Sequence, residues 1–581
     1  MTGETIVVTA DRLTEPLENA TDSVTVITAE ELRRSQAATV AEALRDVAGV
    51  TITQSGSLGH ATSAIMRGAS SSQVLVLIDG VEINDPFFGG VDISSLLTSG
   101  VERIEIVRGP QSPLYGSQAM AGVINIVTAA EHTGAGGVDG TLRAEAGSMS
   151  SHRESVQLSG RSDALHWNVA GGHFDTAGQF ANDEFRDLQL NGRVLWNLQP
   201  RSTLAFHGLT GDSHIGIPFN GITPSPRREG DSRLSIAGAE YDLLASPLLH
   251  LEARASYADR RDAFEDPDDA FSKTSSHNSK LGRLMAQNTM TAGPQTILFG
   301  LEHKNEDVRA DSDGLLVLDE TIRTTAVYAQ DKIEAGSLLF TAGARVDRNS
   351  RFGSHTSPRL SAAYRVNDQW RMRAAAGQAF RAPSTGELAF PFYGNPDLKP
   401  ETSTSYEAGA DFQSRQATVS LTGFSTRYRD LISFDPATFI AANIDRATVH
   451  GVELSAGATL GTAWRLNAAY THLQTRDEET GKPLYRRPRN LASVTLSYTT
   501  DALTLSGNAN IVGRRFETDF ETFTDRYDSG YLKVDAAASR RLRANLRATA
   551  RIENVFDRQY TEVLAFPAPG RAFYAGLQVG F

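Results

Sequence analysis

Arginines recur at regular spacing in this sequence, and their guanidinium groups can form ion pairs and hydrogen bonds. In RANLRATARIE, Arg543, Arg547 and Arg551 share one face of an extended chain, while Leu546 and Ile552 lie on the other. Guanidinium groups need carboxylates or water around them and are costly in an apolar core. The pattern therefore predicts strands with one apolar face and one face that lines a polar, hydrated interior.

A second candidate for chemistry is ETIVVTA, residues Glu4 to Ala10, whose useful groups are main-chain donors and acceptors. Thr5 to Thr9 are strand formers, but no hairpin signal follows them. The segment therefore pairs either with a distant part of this chain or with another protein.

Composition excludes several kinds of chemistry. The 581-residue chain has no cysteine, so disulfides, thiolate metal sites and cysteine nucleophiles are excluded. Its formal net charge of −13 argues against a nucleic-acid partner. The mean hydropathy of −0.28 resembles that of a soluble protein, but a membrane β-barrel gives a similar average because only alternate residues are apolar.

Two patterns meet near residue 132. Before it, Thr28 and Thr39 each lie three residues before a glutamate, which predicts two capped helices. The second helix would bury Val40, Ala43, Leu44 and Val47 and end near Gly49. Short strands are predicted at 74–78, 101–107 and 123–127, so this part is a compact α/β domain.

After residue 132 strict alternation dominates, and the connections alternate between short turns and long polar loops. Examples are the turn at 499–502, the loop at 514–530, a tight turn near Arg541 and the loop at 559–571. This pattern is typical of a transmembrane β-barrel. About 450 residues at roughly 20 per strand and connection predict about 22 antiparallel strands. So wide a barrel would leak, and the α/β domain has the right size to plug its lumen.

The predicted organisation has three parts: a flexible N-terminus at residues 1–19, a plug domain at 20–132 and a transmembrane β-barrel at 133–581. A soluble β-sandwich is the alternative for the last part, but its core could not accommodate the arginines.

Ordered motifs in both parts resemble those of the TonB-dependent outer-membrane transporters, most closely the cobalamin (BtuB-type) transporters. The resemblance covers nearly the whole chain and rests on IMRG at 65–68, VLIDGV at 76–81, IEIVRGP at 104–110, LYG at 114–116, GVINI at 122–126, FRAP at 380–383, GNPDLKPE at 394–401, NVFD at 554–557 and the terminal Phe581. It implies a monomer in the outer membrane of a Gram-negative bacterium, with a periplasmic N-terminus and no required cofactor.

The resemblance also implies partners for the N-terminal segment. ETIVVTA resembles the TonB box, an extended segment that adds as a strand to the periplasmic energy-coupling protein TonB. The residues expected to bind TonB are Glu4, Thr5, Ile6, Val7, Val8, Thr9 and Ala10. A strand tethered to the plug is the alternative.

Site residues follow from the same resemblance. Plug residues Arg67, Arg103, Glu105 and Arg108 are expected at the contact with the barrel wall, where each ion pair would contribute roughly 0–1 kcal/mol in wet surroundings. The ligand is expected to bind at two plug apices and one outer loop, through Ser57, Leu58, His60, Asn84, Asp85, Phe87, Phe88, Phe392, Tyr393 and Asn395.

The cobalamin transporters also have an outer-loop calcium site. The matching acids here are Asp183, Glu184, Asp187 and Asp231. Calcium prefers six to eight oxygen ligands, which these residues do not supply, and the nearby Arg227 and Arg228 oppose cation binding.

The resulting hypothesis is active import of cobalamin (vitamin B12), driven by TonB. A ferric siderophore transporter is the main alternative, because outer arginines could attract an anionic chelate; these are Arg227, Arg228, Arg486, Arg487, Arg489, Arg514 and Arg515. An outer-membrane lipase or protease is a remote alternative, because no motif in the sequence indicates a nucleophile with its base and an enzyme needs no plug. The plug also opposes a passive porin.

Overall fold

The structure of the chain is a computed structural model. It describes residues 6–7, 12–13, 15–128, 137–221, 223–269, 272–391, 393–434, 440–519, 521–522 and 524–581. Within these ranges, no helix is long and apolar enough to cross a membrane.

The N-terminal part combines short strands and short helices. Its strands are β1 (Ile6–Val7), β2 (Glu15–Pro16), β3 (Ser23–Thr28), β4 (Val50–Gln54), β5 (Thr62–Met66), β6 (Val74–Ile78), β7 (Val81–Glu82), β8 (Val101–Arg108) and β9 (Gly122–Thr128). Its α-helices are α1 (Ala29–Ser35), α2 (Val40–Leu44) and α3 (Ser112–Tyr115), with 3₁₀ turns at Leu17–Asn19 and Ser71–Gln73.

The two predicted helix starts are present. Thr28 and Glu31 form a reciprocal capping box at α1, and the Thr39 side chain accepts a hydrogen bond from the Glu42 amide at α2. The second helix is shorter than predicted. It ends at Leu44, and turns carry the chain to Gly49, whose φ of +79° is a left-handed conformation that favours glycine.

A five-stranded sheet in the order β3-β8-β9-β6-β7 organises this domain, and only the β6–β9 pair is parallel. Strands β4 and β5 form a separate antiparallel pair. The apolar faces of the sheet and of α2 form a core that continues into inward-facing wall residues such as Ile236, Phe424 and Leu473. The domain therefore packs against the barrel that surrounds it.

The rest of the chain forms a closed, entirely antiparallel barrel of 22 strands, as predicted. Its strands are β10 (Gly137–Gly147), β11 (His152–Arg161), β12 (Leu165–Thr176), β13 (Phe185–Gln199), β14 (Ser202–Gly216), β15 (Glu229–Ser246), β16 (Leu249–Glu265), β17 (Thr274–Ala292), β18 (Gln295–Ser312), β19 (Leu315–Ala335), β20 (Leu338–Asn349), β21 (Gly353–Arg365), β22 (Trp370–Arg381), β23 (Glu401–Gln413), β24 (Ala417–Phe434), β25 (Ala441–Leu460), β26 (Trp464–Asp477), β27 (Asn490–Thr499), β28 (Leu503–Val512), β31 (Tyr531–Arg543), β32 (Leu546–Glu553) and β35 (Ala572–Gly580).

Strand β10 closes the barrel by pairing with β35. Two hairpins lie within the long connections, β29 (Arg515–Asp519) with β30 (Thr524–Asp528) and β33 (Thr561–Val563) with β34 (Phe566–Pro567), and helix α4 (Thr385–Ala389) follows β22.

Side chains alternate across the barrel wall as the sequence indicates. On β13, Leu188 and Leu190 are exposed on the outer face, whereas Gln189 and Asn191 are buried in the lumen. On β32 the predicted inward residue Arg551 is buried and pairs with Glu145 of β10 across 3.1 Å. A carboxylate therefore satisfies this lumen arginine. Arg543, predicted on the same face, is instead the last residue of β31, before the turn at 544–545, and is exposed, so that part of the prediction is wrong.

The two ends of the barrel differ. At one end the strands join through short turns, such as 293–294, 336–337 and 500–502. At the other end lie the long connections, including 217–228, 382–400, 478–489, 513–530 and 554–571. This asymmetry gives the barrel a short-turn end and a long-loop end, the names used below.

Candidate functional site

The first plug apex, residues 55–60, is fixed to the wall at the long-loop end by one carboxylate. Asp183, which precedes β13, accepts hydrogen bonds from Ser57 Oγ at 2.7 Å and from the backbone amides of Gln179 and Phe180, and its Oδ1 lies 2.9 Å from His60 Nε2. Ser57, His60 and Asp183 are all buried. Two of the predicted ligand residues therefore hold the apex in place.

The second apex, residues 84–90, is fixed through Asp85. His277 Nε2 donates to Asp85 Oδ2 at 2.7 Å, and Ser279 Oγ donates to Oδ1 at 2.6 Å. Burial alone would raise the pKa of Asp85, but the hydrogen bond and charge of His277 outweigh it and hold the pKa below its usual value. Asp85 therefore stays ionised and ties the apex to β17.

The aromatic pair at this apex divides into a structural ring and an exposed ring. Phe87 is buried and stacks on His277 with ring centroids 4.7 Å apart, and its edge contacts Phe390. Phe88 is 59% exposed. Asn84 is buried and hydrogen bonds to the backbone of Val74 and Val76. Of these neighbours, only Phe88 offers a large free surface to a ligand.

The outer-loop candidates belong to the connection that carries α4. The backbone amides of Thr385 and Gly386 donate to the Pro86 and Phe87 carbonyls of the second apex, at 3.0 and 3.1 Å. Tyr393 is half-buried against Phe390, and Asn395 donates to the Ala441 carbonyl at 2.9 Å. The predicted Phe392 lies outside the described residues.

This arrangement makes the connection that carries α4 a bridge between the second apex and the first residue of β25. Leu58, in the first apex, is half-buried. The predicted ligand residues that the structure describes thus form two clusters at the long-loop end, one around each apex.

The four predicted calcium ligands do not come together. Asp183 is occupied by the first apex, and Asp231 faces outward, where it pairs with His214 at 2.9 Å. Asp187 is buried in the lumen with one carboxylate oxygen unpaired. Within the described residues, no three of the four acids, which include Glu184, place their oxygens close enough to share an ion. The calcium prediction therefore has no geometric support.

Arg67 is the central plug-to-wall contact among the predicted residues. Its guanidinium donates to both oxygens of Glu453 at 2.9 and 2.8 Å and also binds Glu407, while the ring of Phe424 lies under it at 4.6 Å. All three charged side chains are nearly inaccessible to solvent. The expectation of weak, wet pairs is wrong here, because these charges are desolvated.

The other predicted plug residues act mainly within the plug. Arg103 pairs with Glu105 at 2.8 Å and with Glu102 at 3.4 Å. Arg108 donates to the Ala48 carbonyl and to Thr25, and lies 3.9 Å from Glu453. Within the described residues, Arg103 has no barrel partner, so its expected contact with the wall is not seen.

Several ion pairs with the barrel were not predicted. Two involve the N-terminal segment, Arg12–Glu302 and Glu15–Lys332. The others involve the plug and are Asp22–Arg359, Arg45–Glu562, Asp79–Arg193, Glu82–Arg283 and Glu82–Lys304. Three of these plug residues are acids paired with barrel bases, the reverse of the polarity expected. The alternation of the wall strands marks the bases as inward-facing, but sequence alone does not say which plug acid each one meets.

The N-terminal segment lies at the short-turn end. Ile6–Val7 pairs antiparallel with Glu15–Pro16, so the expectation that it has no local partner is wrong for these two residues. Arg12 donates to Tyr328 Oη at 2.8 Å and lies 3.4 Å from Glu302. Glu4, Thr5, Val8, Thr9 and Ala10 lie outside the described residues.

A small cavity lies between the plug and the wall. It has a volume of about 30 Å³ and is lined by Pro86, Tyr115 and Gln118 of the plug and by Lys304, Arg345 and Asp347 of the wall. A polar space of this size holds about one or two water molecules and not a large ligand.

Comparison with protein families matches both parts of the chain. Residues 16–123 match the TonB-dependent Receptor Plug Domain, and residues 166–555 match the TonB dependent receptor-like β-barrel. A curated relative, the Vitamin B12 transporter BtuB of Photobacterium profundum, is 30% identical over 600 residues, covering 98% of this chain and 95% of the relative.

Solved structures share the fold at lower identity. The siderophore receptor PirA of Acinetobacter baumannii has a TM-score of 0.83 at 19% identity, covering 96% of this chain and 98% of that one. A mutant of the ferric enterobactin receptor PfeA of Pseudomonas aeruginosa has a TM-score of 0.83 at 21% identity, with coverage of 99% and 100%. The copper transporter OprC has a TM-score of 0.84 at 18% identity, with coverage of 96% and 99%. At these identities the likeness concerns the fold alone.

Proposed function

Because the chain belongs to the TonB-dependent receptors, we propose that it imports cobalamin. Its family places it in the outer membrane as a TonB-dependent importer of a large ligand. The proposal concerns the ligand and the way in which the chain engages TonB. The observation that carries it is the 30% identity to a vitamin B12 transporter along nearly the whole chain.

The outer arginines support an uncharged ligand over an anionic chelate. Most of them are neutralised within the loops: Arg227 by Asp268, Arg228 by Asp266, Arg486 by Glu517 and Arg515 by Asp528. Arg487 donates to the Gly68 carbonyl at 3.0 Å, and Arg514 lies over the Tyr527 ring at 4.6 Å. Charges that are paired within the protein attract an external anion weakly.

The exposed surface at the long-loop end also suits a ligand with an apolar part. The free ring of Phe88 offers apolar contact. The long-loop end is then the extracellular side, and the short-turn end faces the periplasm.

Engagement of TonB would use β1. Its two-residue ladder with β2 is weak, because Pro16 has no N–H to donate to Ile6. A competing strand from TonB could therefore take its place by main-chain pairing.

Equilibrium binding to purified protein tests the ligand. We expect saturable binding of cyanocobalamin, unchanged by a calcium chelator because the four acids do not converge, and no binding of ferric catecholate or hydroxamate siderophores. Absence of saturable cyanocobalamin binding, with calcium and without it, together with binding of one siderophore, would transfer the assignment to a ferric siderophore transporter.

A further inference from the structure

Four arginines form a cluster on the outer surface of the barrel. Arg427 and Arg429 lie on β24, Arg446 on β25 and Arg476 on β26, and all four are exposed. Their neighbours along each strand, among them Tyr428, Ala447 and Leu473, are buried in the lumen. By alternation the four guanidinium groups therefore point away from the barrel axis.

The strand register places these charges side by side. Arg429 is directly opposite Arg446, while Arg427 and Arg476 are the two cross-strand neighbours of Thr448. Like charges directly opposite each other across strands are destabilising. The cluster, called the β24–β26 arginine patch below, therefore needs an anion near it to be favourable.

Among the residues that the structure describes, the protein supplies little such charge. None of the four arginines forms an ion pair there, and one acid, Glu478, lies at an outward position beside them, opposite Arg446, to whose carbonyl its amide donates at 3.0 Å. The other outward positions beside them carry neutral residues and histidines: Gly423, Ser425, Thr448, His450, His472 and Gln474. Four guanidinium groups therefore share one nearby carboxylate.

The opposite side of the barrel differs at the comparable position. There the outward arginines each face an outward acid: Arg186 with Asp175 at 3.0 Å, Arg261 with Asp259 at 3.2 Å, Arg309 with Asp319 at 3.3 Å, and Arg233 with Asp212. The excess of positive charge is therefore a property of the β24–β26 side.

The position of the patch identifies the kind of anion. Directly below it, on the same outer faces, lie the exposed apolar residues Leu421, Val452 and Tyr470, which belong to the band that contacts acyl chains. Six residues of strand separate Leu421 from Arg427, roughly 20 Å along a tilted strand. Long arginine side chains can also bend toward the membrane surface. That reach suits phosphates carried on a saccharide headgroup above the acyl chains.

We propose that the β24–β26 arginine patch binds the phosphate groups of a phosphorylated saccharide lipid in the outer leaflet. The lipid's acyl chains would lie against the apolar residues below, and its phosphates would supply most of the negative charge that this side of the protein lacks. Arginine suits this role because its planar fork binds phosphate through two hydrogen bonds.

The test uses the full chain in mild detergent and native mass spectrometry of its complex with a purified lipopolysaccharide that has a short core. The variant is R427Q/R429Q/R446Q/R476Q. The matched control is R186Q/R233Q/R261Q/R309Q, which removes the same charge from the compensated side. Each arginine near an anionic surface strengthens binding by a factor of roughly five, so we expect the patch variant to bind at least about tenfold more weakly, and the control to bind as wild type.

A second arm uses the same glycolipid after enzymatic removal of its phosphates. We expect wild type to bind this form as weakly as the patch variant binds the intact form. Equal binding of intact glycolipid by wild type and patch variant, or of intact and dephosphorylated glycolipid by wild type, would overturn the proposal. Retained cyanocobalamin binding by the patch variant, or an unchanged unfolding temperature if wild type binds none, shows that the variant is folded.

Discussion

At the scale of single residues, the plug is held by desolvated charges. Arg67 shows this best, because two wall glutamates and the face of Phe424 enclose it completely. A buried ion pair adds little net stability compared with an apolar substitute, but removal of one partner leaves an unpaired buried charge. We therefore infer that the main role of such pairs is to fix the orientation of the plug.

Arg67→Met should loosen the plug. It leaves Glu453 and Glu407 buried with only the more distant Arg108 and Arg373 nearby, so we expect plug opening to become easier by about 3 kcal/mol. Hydrogen exchange of the plug amides measures this. R67M/E407Q/E453Q should recover most of the loss, and R186M, in an exposed pair, should change nothing. Wild-type protection in R67M would contradict the idea that this pair orients the plug.

Phe87 packs within the second apex whereas its neighbour Phe88 is exposed, and the sequence alone could not distinguish the two rings. Phe88→Ala removes the exposed ring at the second apex, so we expect cyanocobalamin to bind roughly tenfold more weakly, the usual effect of deleting an aromatic contact. Phe299→Ala is the control, because that ring is 50% exposed but faces outward from β18. Equal affinity of F88A and wild type in equilibrium titration would exclude the second apex from the ligand site.

At the scale of elements, the sequence predicts the positions of strands better than it predicts which residues contact one another. Period-two alternation and the alternating connection lengths were sufficient for the barrel, because lipid on one side and a polar lumen on the other impose both patterns. Contacts such as Asp183 with His60, or Thr385 with Pro86, join residues far apart in the sequence. Their residue types suit many surroundings, so only the fold reveals the partner. The sequence predicts a longer helix α2 than the structure contains, because Val47 continues the apolar face beyond the last helical turn.

The N-terminal strand is the element whose pairing should decide transport. Ile6→Pro removes a backbone donor and fixes φ, so it should prevent strand addition to TonB while leaving the ligand site intact. We expect energised uptake of labelled cyanocobalamin by whole cells to be lost and its binding to purified protein to be unchanged. Val8→Pro should behave likewise, and Ile6→Val, which keeps strand propensity, should transport normally. Uptake by both proline variants at the wild-type rate would show that the segment does not couple transport to TonB.

At the scale of the whole molecule, the plug and the wall have complementary charges and share one core. Inward wall residues such as Ile236 and Leu473 belong to the same apolar cluster as the plug sheet, while acids of the plug meet bases of the wall. Among the residues that the structure describes, the barrel strands nevertheless form a closed ladder and pair only with each other. Its backbone hydrogen bonds do not depend on the plug, which suggests that the two parts can be separated.

Residues 137–581 alone should therefore insert into membranes as an open pore. Without the plug, the inward charges face water in a lumen wide enough to hydrate them, so the barrel should remain folded and stay resistant to proteolysis. In planar bilayers we expect large, steady conductance from this barrel and almost none from the full chain. Cyanocobalamin binding should be lost, because both apices and Phe88 are gone. Digestion of the isolated barrel, or its failure to conduct, would show that the plug contributes to the stability of the barrel. The ion pairs between plug and wall would then stabilise the barrel as well as fixing the plug in its lumen.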